Sequence, residues 1–487
     1  MTTENDAGRV PAHGVHHAEH HAVHHAGRQR AALGGLLLAE AMNLLDASIT
    51  TVAAPVISAD LGGSPSSVQW VAAAYTLPFA VALIPGGRLG DILGRRRVFV
   101  AAMLGFLVFS LTCAAAPGMS VLLAARALQG VCAGLVIPQT IGLIKAAFRG
   151  PALGKALGLM GPVMGLTGVA GPVLGGVLTH ADLAGLSWRG VFLVNVPLGA
   201  LVLAGACCLT EDRAARRPGL DLVGVLLSAA VAAAITVPTI GESMSPRLRT
   251  LSALPAFFGA VVLIAHVRRL GKKGRDPIVE PSLFRGRGFP SALATSTVYF
   301  AVSTGLVFAV VLYVQNGLHG SVLAASLTVL PFSGGLALSS LIAGQKLLPR
   351  LGSRLMLPGI GILALGCLGG AVASRVAAAA PVTTSPWIPA SLAVAGLGGG
   401  LLTVPFFTTA LSRVRPHETG SAAGLLNSVQ QLGGTLGVAL LGTVYLNRTG
   451  SPGHALTLVF TTCLALVLLL ALTATGMLRS QPVEAAR

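Results

Sequence analysis

Long apolar segments separated by short polar loops make up most of this chain. A helix needs about 20 mostly apolar residues to cross a bilayer, and we assign fourteen such segments between residues 31 and 478. Only 10% of the 487 residues are charged, against about 25% in a soluble domain. So few charges cannot cover the surface of a water-soluble protein. We therefore predict an all-α integral membrane protein with fourteen transmembrane helices.

Basic residues are concentrated in every second loop. With fourteen segments, 27 of the 33 Lys and Arg residues lie in alternate loops and in the two terminal tails. Such loops stay on the cytoplasmic side, so we predict a multi-pass protein of the cytoplasmic (inner) membrane with both termini inside the cell. The net charge of +17 would suggest nucleic acid in a soluble protein. Its placement instead predicts contact with membrane lipid and no nucleic-acid partner.

The longest loop, about residues 268–288, separates eight segments from six and makes spans 7 and 8 an inserted pair. Asp221 opens span 7, where a helix N-terminus favours a carboxylate. The halves repeat weakly, because Gly87–Arg95 matches Gly344–Arg354 only with a one-residue slip and without the Asp. The predicted organisation is a disordered His-rich cytoplasmic tail (1–30), an N-terminal six-helix half (31–210), two inserted helices (211–270), a cytoplasmic linker (271–288), a C-terminal six-helix half (289–478) and a cytoplasmic tail (479–487).

A glycine- and arginine-rich motif follows span 2 on the cytoplasmic side. Its glycines permit a tight turn and close helix approach, and one carboxylate, Asp91, lies among four arginines. This pattern predicts a charged latch that holds the cytoplasmic halves together. The alternative is a topology signal made of basic residues. The residues assigned to this cytoplasmic gate are Gly87, Arg88, Gly90, Asp91, Gly94, Arg95 and Arg96.

This motif resembles the signature between spans 2 and 3 of the major facilitator superfamily. The resemblance implies the major-facilitator fold, with two six-helix halves and two inserted helices, in a monomer without a cofactor or enzymatic activity. It also implies a proton-coupled antiporter that exports lipophilic drugs or antibiotics by alternating access. Five further stretches resemble the family's fourteen-span drug/proton antiporter branch, namely Leu45–Pro55, Arg126–Gly130, Gly165–Gly176, Trp188–Pro197 and Gly420–Gly442.

Three charged residues, Glu40, Asp46 and Arg126, lie well inside predicted spans. Such charges are expensive in a bilayer and therefore mark functional sites or buried pairs. Burial disfavours the charged form of a carboxyl group, so we predict that Asp46 exchanges protons beside the permanently charged Arg126. Glu40 lies about 120° away around the helix and forms a separate, secondary candidate. A static pair joining spans 1 and 4 is the alternative.

Glycines of span 5 recur at steps of three and four from Gly158 to Gly175, which places them on one helix face. Small residues let helices approach closely in lipid. We therefore predict a seam between two moving halves, with ordinary close packing as the alternative. The family resemblance implies that this motif marks exporters rather than importers. The antiporter-motif residues are Gly165, Gly168, Gly171, Pro172, Gly175 and Gly176.

Polar and aromatic side chains inside several spans predict a central cavity for a small lipophilic or cationic substrate. Asn427 and Gln431 form a polar stripe on span 13. Each residue in this set could equally be a packing residue. The predicted cavity residues are Gln129, Tyr313, Phe332, Phe406, Asn427 and Gln431.

Paired histidines in the N-terminal tail, from His16 to His25, would share one face if helical and could bind zinc or copper. We favour a disordered tail and predict no metal site, with metal export linked to the tail as an open alternative. Import of a small nutrient on the same fold is the other alternative.

Overall fold

Long helices form almost all of this computed structural model, and no strand occurs among the residues it describes. Those residues are 13–64, 66–149, 152, 153, 156, 159–180, 185–213, 219–240, 246–273, 275, 277–379, 386–411, 414, 419–447 and 451–479. The long helices are α1 (His13–Asp60), α2 (Ser67–Leu93), α3 (Arg95–Ala114), α4 (Met119–Ala147), α5 (Met160–His180), α6 (Gly190–Leu193 with Asn195–Ala206), α7 (Leu222–Ile240), α8 (Pro246–Lys272), α9 (Gly288–Leu312), α10 (Val322–Ile342), α11 (Met356–Ala379), α12 (Trp387–Leu411), α13 (Thr419–Leu446) and α14 (Pro452–Arg479).

Twelve helical stretches of the described chain are long and apolar enough to cross a membrane. One of them, Val322–Ala378, contains both α10 and α11. Helix α7 contributes a shorter apolar stretch, Leu222–Pro238. The predicted all-α membrane fold is therefore confirmed, while the number of fourteen crossings stays a prediction.

Helix α1 extends into the segment that we expected to be a disordered tail. Its backbone is helical from His13 onward, and no proline occurs between Pro11 and Pro55 to interrupt it. The disordered tail over residues 1–30 stays a prediction. Residues 1–12, the side chains of residues 13–26 and the predicted tail after Arg479 lie outside the described part of the chain.

Two sets of six helices pack within themselves and meet along two seams. Helices α1–α6 contact one another, as do α9–α14. Between the sets, α2 packs on α13 and α5 packs on α10. In the repeat expected from the sequence, span 2 corresponds to span 10 and span 5 corresponds to span 13. This repeat therefore relates the α2–α13 seam to the α5–α10 seam.

The inserted pair lies beside one seam only. Helix α7 packs on α8 and also contacts α2 and α13, the two helices that form that seam. The predicted linker follows α8 and contains a short 3-10 helix, Pro281–Phe284. The inserted pair therefore borders both six-helix sets.

Hydrogen bonds join the two sets at the end away from the arginine-rich loops. Gln315 Nε2 after α9 donates to the Val52 carbonyl of α1 at 2.8 Å. Gln69 Nε2 near the start of α2 lies 3.4 Å from the Ala439 carbonyl of α13. On the arginine side, a Cβ on Gly165 of α5 would lie 3.8 Å from a methyl group of α10. Polar contacts thus join the two sets at the end away from the arginine-rich loops.

Candidate functional site

A fully buried ion pair lies inside the N-terminal set. Asp46 on α1 and Arg126 on α4 are 0% and 1% exposed, and Arg126 Nη1 donates to Asp46 Oδ2 at 2.5 Å. Both residues lie inside apolar helices, Arg126 about two turns from the start of α4, and a buried charge without a partner is expensive. The structure therefore joins the two residues that the sequence predicted to act together.

Two amide side chains complete the coordination of this ion pair. Gln129 Nε2 and Asn195 Nδ2 donate to Asp46 Oδ1 at 3.2 and 2.7 Å. Gln129 Oε1 also accepts from Arg126 Nη1 at 2.9 Å. Ser110 Oγ lies 3.3 Å from Gln129 Nε2 and 2.9 Å from Asn195 Nδ2. Asp46 is thus held by three side-chain donors, one from Arg126 and two from the amides.

Aromatic rings cover the guanidinium group of Arg126. Its Cζ lies 4.2 Å from the Tyr75 ring centroid and 5.6 Å from that of Phe192. Such cation–π contacts stabilise a desolvated cation. The Tyr75 hydroxyl donates to Asn43 Oδ1 at 2.5 Å. Five helices, α1, α2, α3, α4 and α6, thus contribute to one polar network, which we call the Asp46 network (Asn43, Asp46, Tyr75, Ser110, Arg126, Gln129 and Asn195).

Glu40 lies next to this network and outside its ion pair. It is 8% exposed, and its Oε2 atom has no hydrogen-bond partner among the described residues. Asn43 lies about one helical turn from Glu40 and about one turn from Asp46. A buried, unpartnered oxygen is costly when it carries charge, so a bound proton would stabilise Glu40.

The predicted cytoplasmic gate forms its ion pairs within the N-terminal set. Asp91 pairs with Arg95 at 2.8 Å, and Arg95 also approaches Asp212 after α6 at 3.5 Å. The backbone N–H of Arg96 donates to Glu211 at 3.0 Å. Gly94 has a φ of 105°, a conformation that favours glycine, and it allows α2 to turn into α3. The described ion pairs of this motif therefore lie within the N-terminal set, and a latch between the halves stays a prediction.

Arg88 is the gate residue that reaches away from the N-terminal set. It donates to the carbonyl of Gly219, before α7, at 3.0 Å, and to the carbonyl of Pro277, after α8. The adjacent Gly87 and Gly90 face α4, where a Cβ on Gly90 would clash with Gln139. The motif therefore connects α2 to the ends of the inserted pair.

The glycines of α5 face two different helices. A Cβ on Gly171 would clash with Ser48, and one on Gly175 would lie 3.1 Å from the Ile49 carbonyl, both on α1. A Cβ on Gly176 would lie 2.6 Å from Ser326 on α10. Gly168 has no atom within 4 Å of such a Cβ. Helix α5, which contains Pro172, thus contacts the turn after Asp46 and the other half of the protein.

The predicted cavity residues do not form one wall. Gln129 belongs to the Asp46 network and is 0% exposed. Tyr313, Phe332 and Phe406 are buried in the apolar core, because aromatic rings fill the space between packed helices. Asn427 and Gln431 remain partly exposed on α13. A cavity of about 700 Å³ lies elsewhere, beside the inserted pair, and none of these six residues lines it.

Metal ligation has no basis in the described part of the chain. No group of three or more His, Cys, Asp or Glu side chains there is arranged to hold a metal ion. The histidine side chains of the N-terminal tail lie outside the described residues. A metal-linked function for that tail is therefore not tested.

Comparison with known proteins identifies the family. The sequence profile of the Major Facilitator Superfamily matches residues 36–438. The chain belongs to the major facilitator superfamily. It is therefore a multi-pass membrane transporter rather than an enzyme.

Several relatives in this superfamily are exporters or resistance proteins of actinobacteria. The "Probable actinorhodin transporter" of Streptomyces coelicolor is 40% identical over 431 residues, which are 88% of this chain and 74% of the relative. The "Puromycin resistance protein pur8" of Streptomyces alboniger is 36% identical, covering 85% of this chain and 82% of the relative. The "Tetracenomycin C resistance and export protein" of Streptomyces glaucescens is 31% identical, covering 84% and 74%. The relatives support assignment to the drug-efflux branch.

Solved structures agree on the fold. A bacterial homologue of the human drug peptide transporters PepT1 and PepT2 has a TM-score of 0.65 at 15% identity, covering 93% of this chain and 98% of that chain. A bacterial homologue of the human lysosomal transporter Spinster, in an inward-facing and unoccupied conformation, has a TM-score of 0.62 at 18% identity, covering 94% and 99%. At this identity the likeness shows the fold alone.

Sequence reasoning missed the partners that complete the Asp46 network. Asn195 lies within the stretch at the start of span 6 that resembles the antiporter branch, but no role was assigned to it. Polar residues inside spans are rare and usually functional, so Asn195 could have been found by that signal. Ser110 and Tyr75 carried no comparable signal, because such residues are common within apolar helices.

Proposed function

We propose that this protein is a proton-coupled antiporter that exports lipophilic drugs or antibiotics across the cytoplasmic membrane by alternating access. The observation that carries the proposal is the buried Asp46–Arg126 pair and its two amide partners. In this proposal both termini are cytoplasmic, and the outer end is the end closed by Gln69 and Gln315.

Proton binding at Asp46 would rearrange the network. Arginine keeps its proton, so neutralising Asp46 leaves the Arg126 charge without a counterion in a buried site. That cost favours either loss of the proton or a conformation in which Arg126 finds another partner. Each proton that enters the cell down 100 mV supplies about 2.3 kcal/mol, enough to drive roughly fiftyfold accumulation of a neutral solute.

Helix α5 is the element that would carry this rearrangement to the other half. The turn of α1 directly after Asp46 contacts α5 at Gly171 and Gly175. On its neighbouring face α5 contacts α10 at Gly176. A displacement of α1 therefore changes the seam between the two six-helix sets, as rocking of the halves requires.

The substrate class rests on the relatives and the family motifs. Relatives of this chain are named for actinorhodin, puromycin and tetracenomycin C. Export, rather than import, rests on the span 5 motif and on relatives that are named as export proteins. A compound of low polarity, neutral or cationic, fits a transporter whose spans contain few charges.

Transport in inside-out membrane vesicles tests the proposal. Vesicles with an acidic lumen should accumulate labelled puromycin, or another member of a panel of lipophilic toxic compounds, until an uncoupler is added. Asp46→Asn should reduce this uptake to the level of vesicles without the protein. Asp60→Asn is the matched control, since Asp60 lies on the same helix but at its exposed end.

Two results would overturn the proposal. One is uncoupler-sensitive uptake by Asp46→Asn at the wild-type rate, which would exclude Asp46 as the coupling group. The other is net transport in the opposite direction, which would indicate an importer on the same fold.

A further inference from the structure

A lateral cavity lies between the inserted pair and the α2–α13 seam of the two six-helix sets. Its volume is about 700 Å³, within the range of roughly 300–1,000 Å³ typical of ligand sites. Helices α2, α7, α8, α9 and α13 contribute its walls, together with the 3-10 helix of the linker. Nothing in the proposed transport cycle uses this cavity.

The cavity is separate from the polar stripe of the predicted central cavity. Helix α13 lines it with Ser428, Val429 and Leu432, whereas the polar stripe runs through Asn427 and Gln431. Successive residues of a helix are about 100° apart. The cavity-lining residues of α13 and its polar stripe are therefore centred roughly 120° or more apart around the helix. The lateral cavity therefore faces the inserted pair.

Apolar side chains on the cavity wall are open to the membrane. Ile235 on α7, Ile264 on α8 and Phe284 in the linker are 40%, 51% and 49% exposed. On helices that cross a bilayer, exposed apolar groups of this size face the lipid chains. The cavity is thus accessible from the hydrocarbon region without passage through the water on either side.

Two arginines form its polar end. Arg268 at the end of α8 and Arg285 in the linker both line the cavity and are exposed. Neither side chain makes an ion pair or hydrogen bond within the part of the chain that the structure describes. Both belong to the basic segment from Arg268 to Arg287 at the end of α8 and in the linker, where lipid headgroups are expected. Basic pockets between transmembrane helices at this level bind anionic headgroups.

A buried hydroxyl group inside the cavity wall also lacks a partner. Ser428 is 2% exposed, and its Oγ atom makes no hydrogen bond among the described residues. Buried polar atoms are normally satisfied. The ester region of a lipid, between its phosphate and its chain, offers acceptors for such a hydroxyl.

We propose that this cavity binds an anionic phospholipid of the cytoplasmic leaflet, with one acyl chain in the apolar part and the phosphate paired with Arg268 and Arg285. The bound lipid would join the inserted pair to the α2–α13 seam. Lipid is favoured over drug because the two charges lie at headgroup level while the walls face the hydrocarbon. The site is tested by binding alone, so its failure would leave the proposed transport function standing.

Native mass spectrometry of the purified full-length protein tests this site. Phosphatidylglycerol and phosphatidylcholine with the same chains are added at equal concentration, and the lipid retained per protein is measured. We expect wild-type protein to retain phosphatidylglycerol preferentially. R268Q/R285Q should bind it about thirtyfold more weakly, since each basic residue contributes about fivefold.

The matched control is R269Q/R287Q, which removes two exposed arginines from the same basic segment that do not line the cavity. It should retain phosphatidylglycerol like the wild type. V429W fills the apolar part without touching either arginine, and it should lower retention of both lipids.

Equal losses of phosphatidylglycerol retention in R268Q/R285Q and R269Q/R287Q would overturn the proposal. They would indicate that the anionic lipid is attracted to the basic surface in general. Wild-type retention by V429W would also overturn it, since the chain would then bind elsewhere. Displacement of phosphatidylglycerol from wild-type protein by puromycin would assign the cavity to transport cargo instead of lipid.

Discussion

The two six-helix sets share one architecture but differ in how they use charge. The N-terminal set contains a buried ion pair at Asp46 and a cluster of pairs around Arg95. In the described part of the C-terminal set no ion pair occurs. Its side-chain hydrogen bonds include neutral hydroxyl pairs such as Ser374 Oγ with Thr457 Oγ1 at 3.0 Å. Residues 289–478 contain one acidic residue, Glu418, which lies outside the described residues.

This difference places the proposed proton-coupling group in the N-terminal set. The proposed proton coupling requires an ionisable group that is buried and partnered, and the N-terminal set contains one. In the same proposal the C-terminal set provides apolar surfaces against which the N-terminal set moves. Substitutions that remove or transfer polar groups can therefore test whether the sets have separate roles.

Breaking the buried ion pair should have the largest effect. Arg126→Gln leaves the Asp46 carboxylate without its counterion and should destabilise the protein by about 3–5 kcal/mol. Thermal unfolding of the purified protein in detergent measures this loss. The double variant D46N/R126Q has no uncompensated charge, so it should regain part of the stability while remaining inactive in proton-driven transport. A single variant as stable as the wild type would contradict the role of the pair.

Removing one amide donor should have a smaller effect. Asn195→Ala deletes the 2.7 Å hydrogen bond to Asp46, and a bond to a charged group contributes about 1.5–3 kcal/mol. Proton-driven uptake should fall with it, because Asp46 loses one of its two amide partners. Uptake in vesicles at several pH values is the measurement. An unchanged rate and pH profile would show that Asn195 only fills space.

Glycine substitutions on α5 compare its two contacts. Gly171→Ala pushes α5 away from α1, Gly176→Ala pushes it away from α10, and overpacking of this kind costs about 1–3 kcal/mol. Both variants should slow transport at unchanged expression. Gly168→Ala is the control, since its Cβ meets open space, and it should transport normally. If all three variants behaved alike, α5 would not be the connection between the sets.

The smallest effect is expected in the C-terminal set. Ser374→Ala removes one hydroxyl of a buried pair in which the hydroxyls also bond to backbone carbonyls. The loss of stability should be about 0.5–1.5 kcal/mol, typical of a neutral hydrogen bond, with proton-driven transport unchanged. A larger loss than in Asn195→Ala, or a loss of proton coupling, would remove the distinction between the two sets.

Much of the candidate site could be predicted because charge is rare in this chain. Asp46 and Arg126 stand out in apolar helices, and a buried charge needs a partner. Gln129 was predicted as a polar cavity residue, but its place in the Asp46 network was not predicted, since sequence spacing within α4 does not show which helices face it. Phe332 and Phe406 were expected at a cavity and are core residues, because an aromatic side chain suits both settings.

By itself the sequence determined the class of the protein, its helical architecture and the two charged residues that cannot lie in lipid alone, because apolar length and the cost of buried charge are local properties. Only the tertiary structure decided the other members of the Asp46 network, the two separate faces of α5 and the position of the inserted pair beside one seam. These depend on which helices pack together, and contacts between helices far apart in the chain have no signature in the spacing of residues within any one helix.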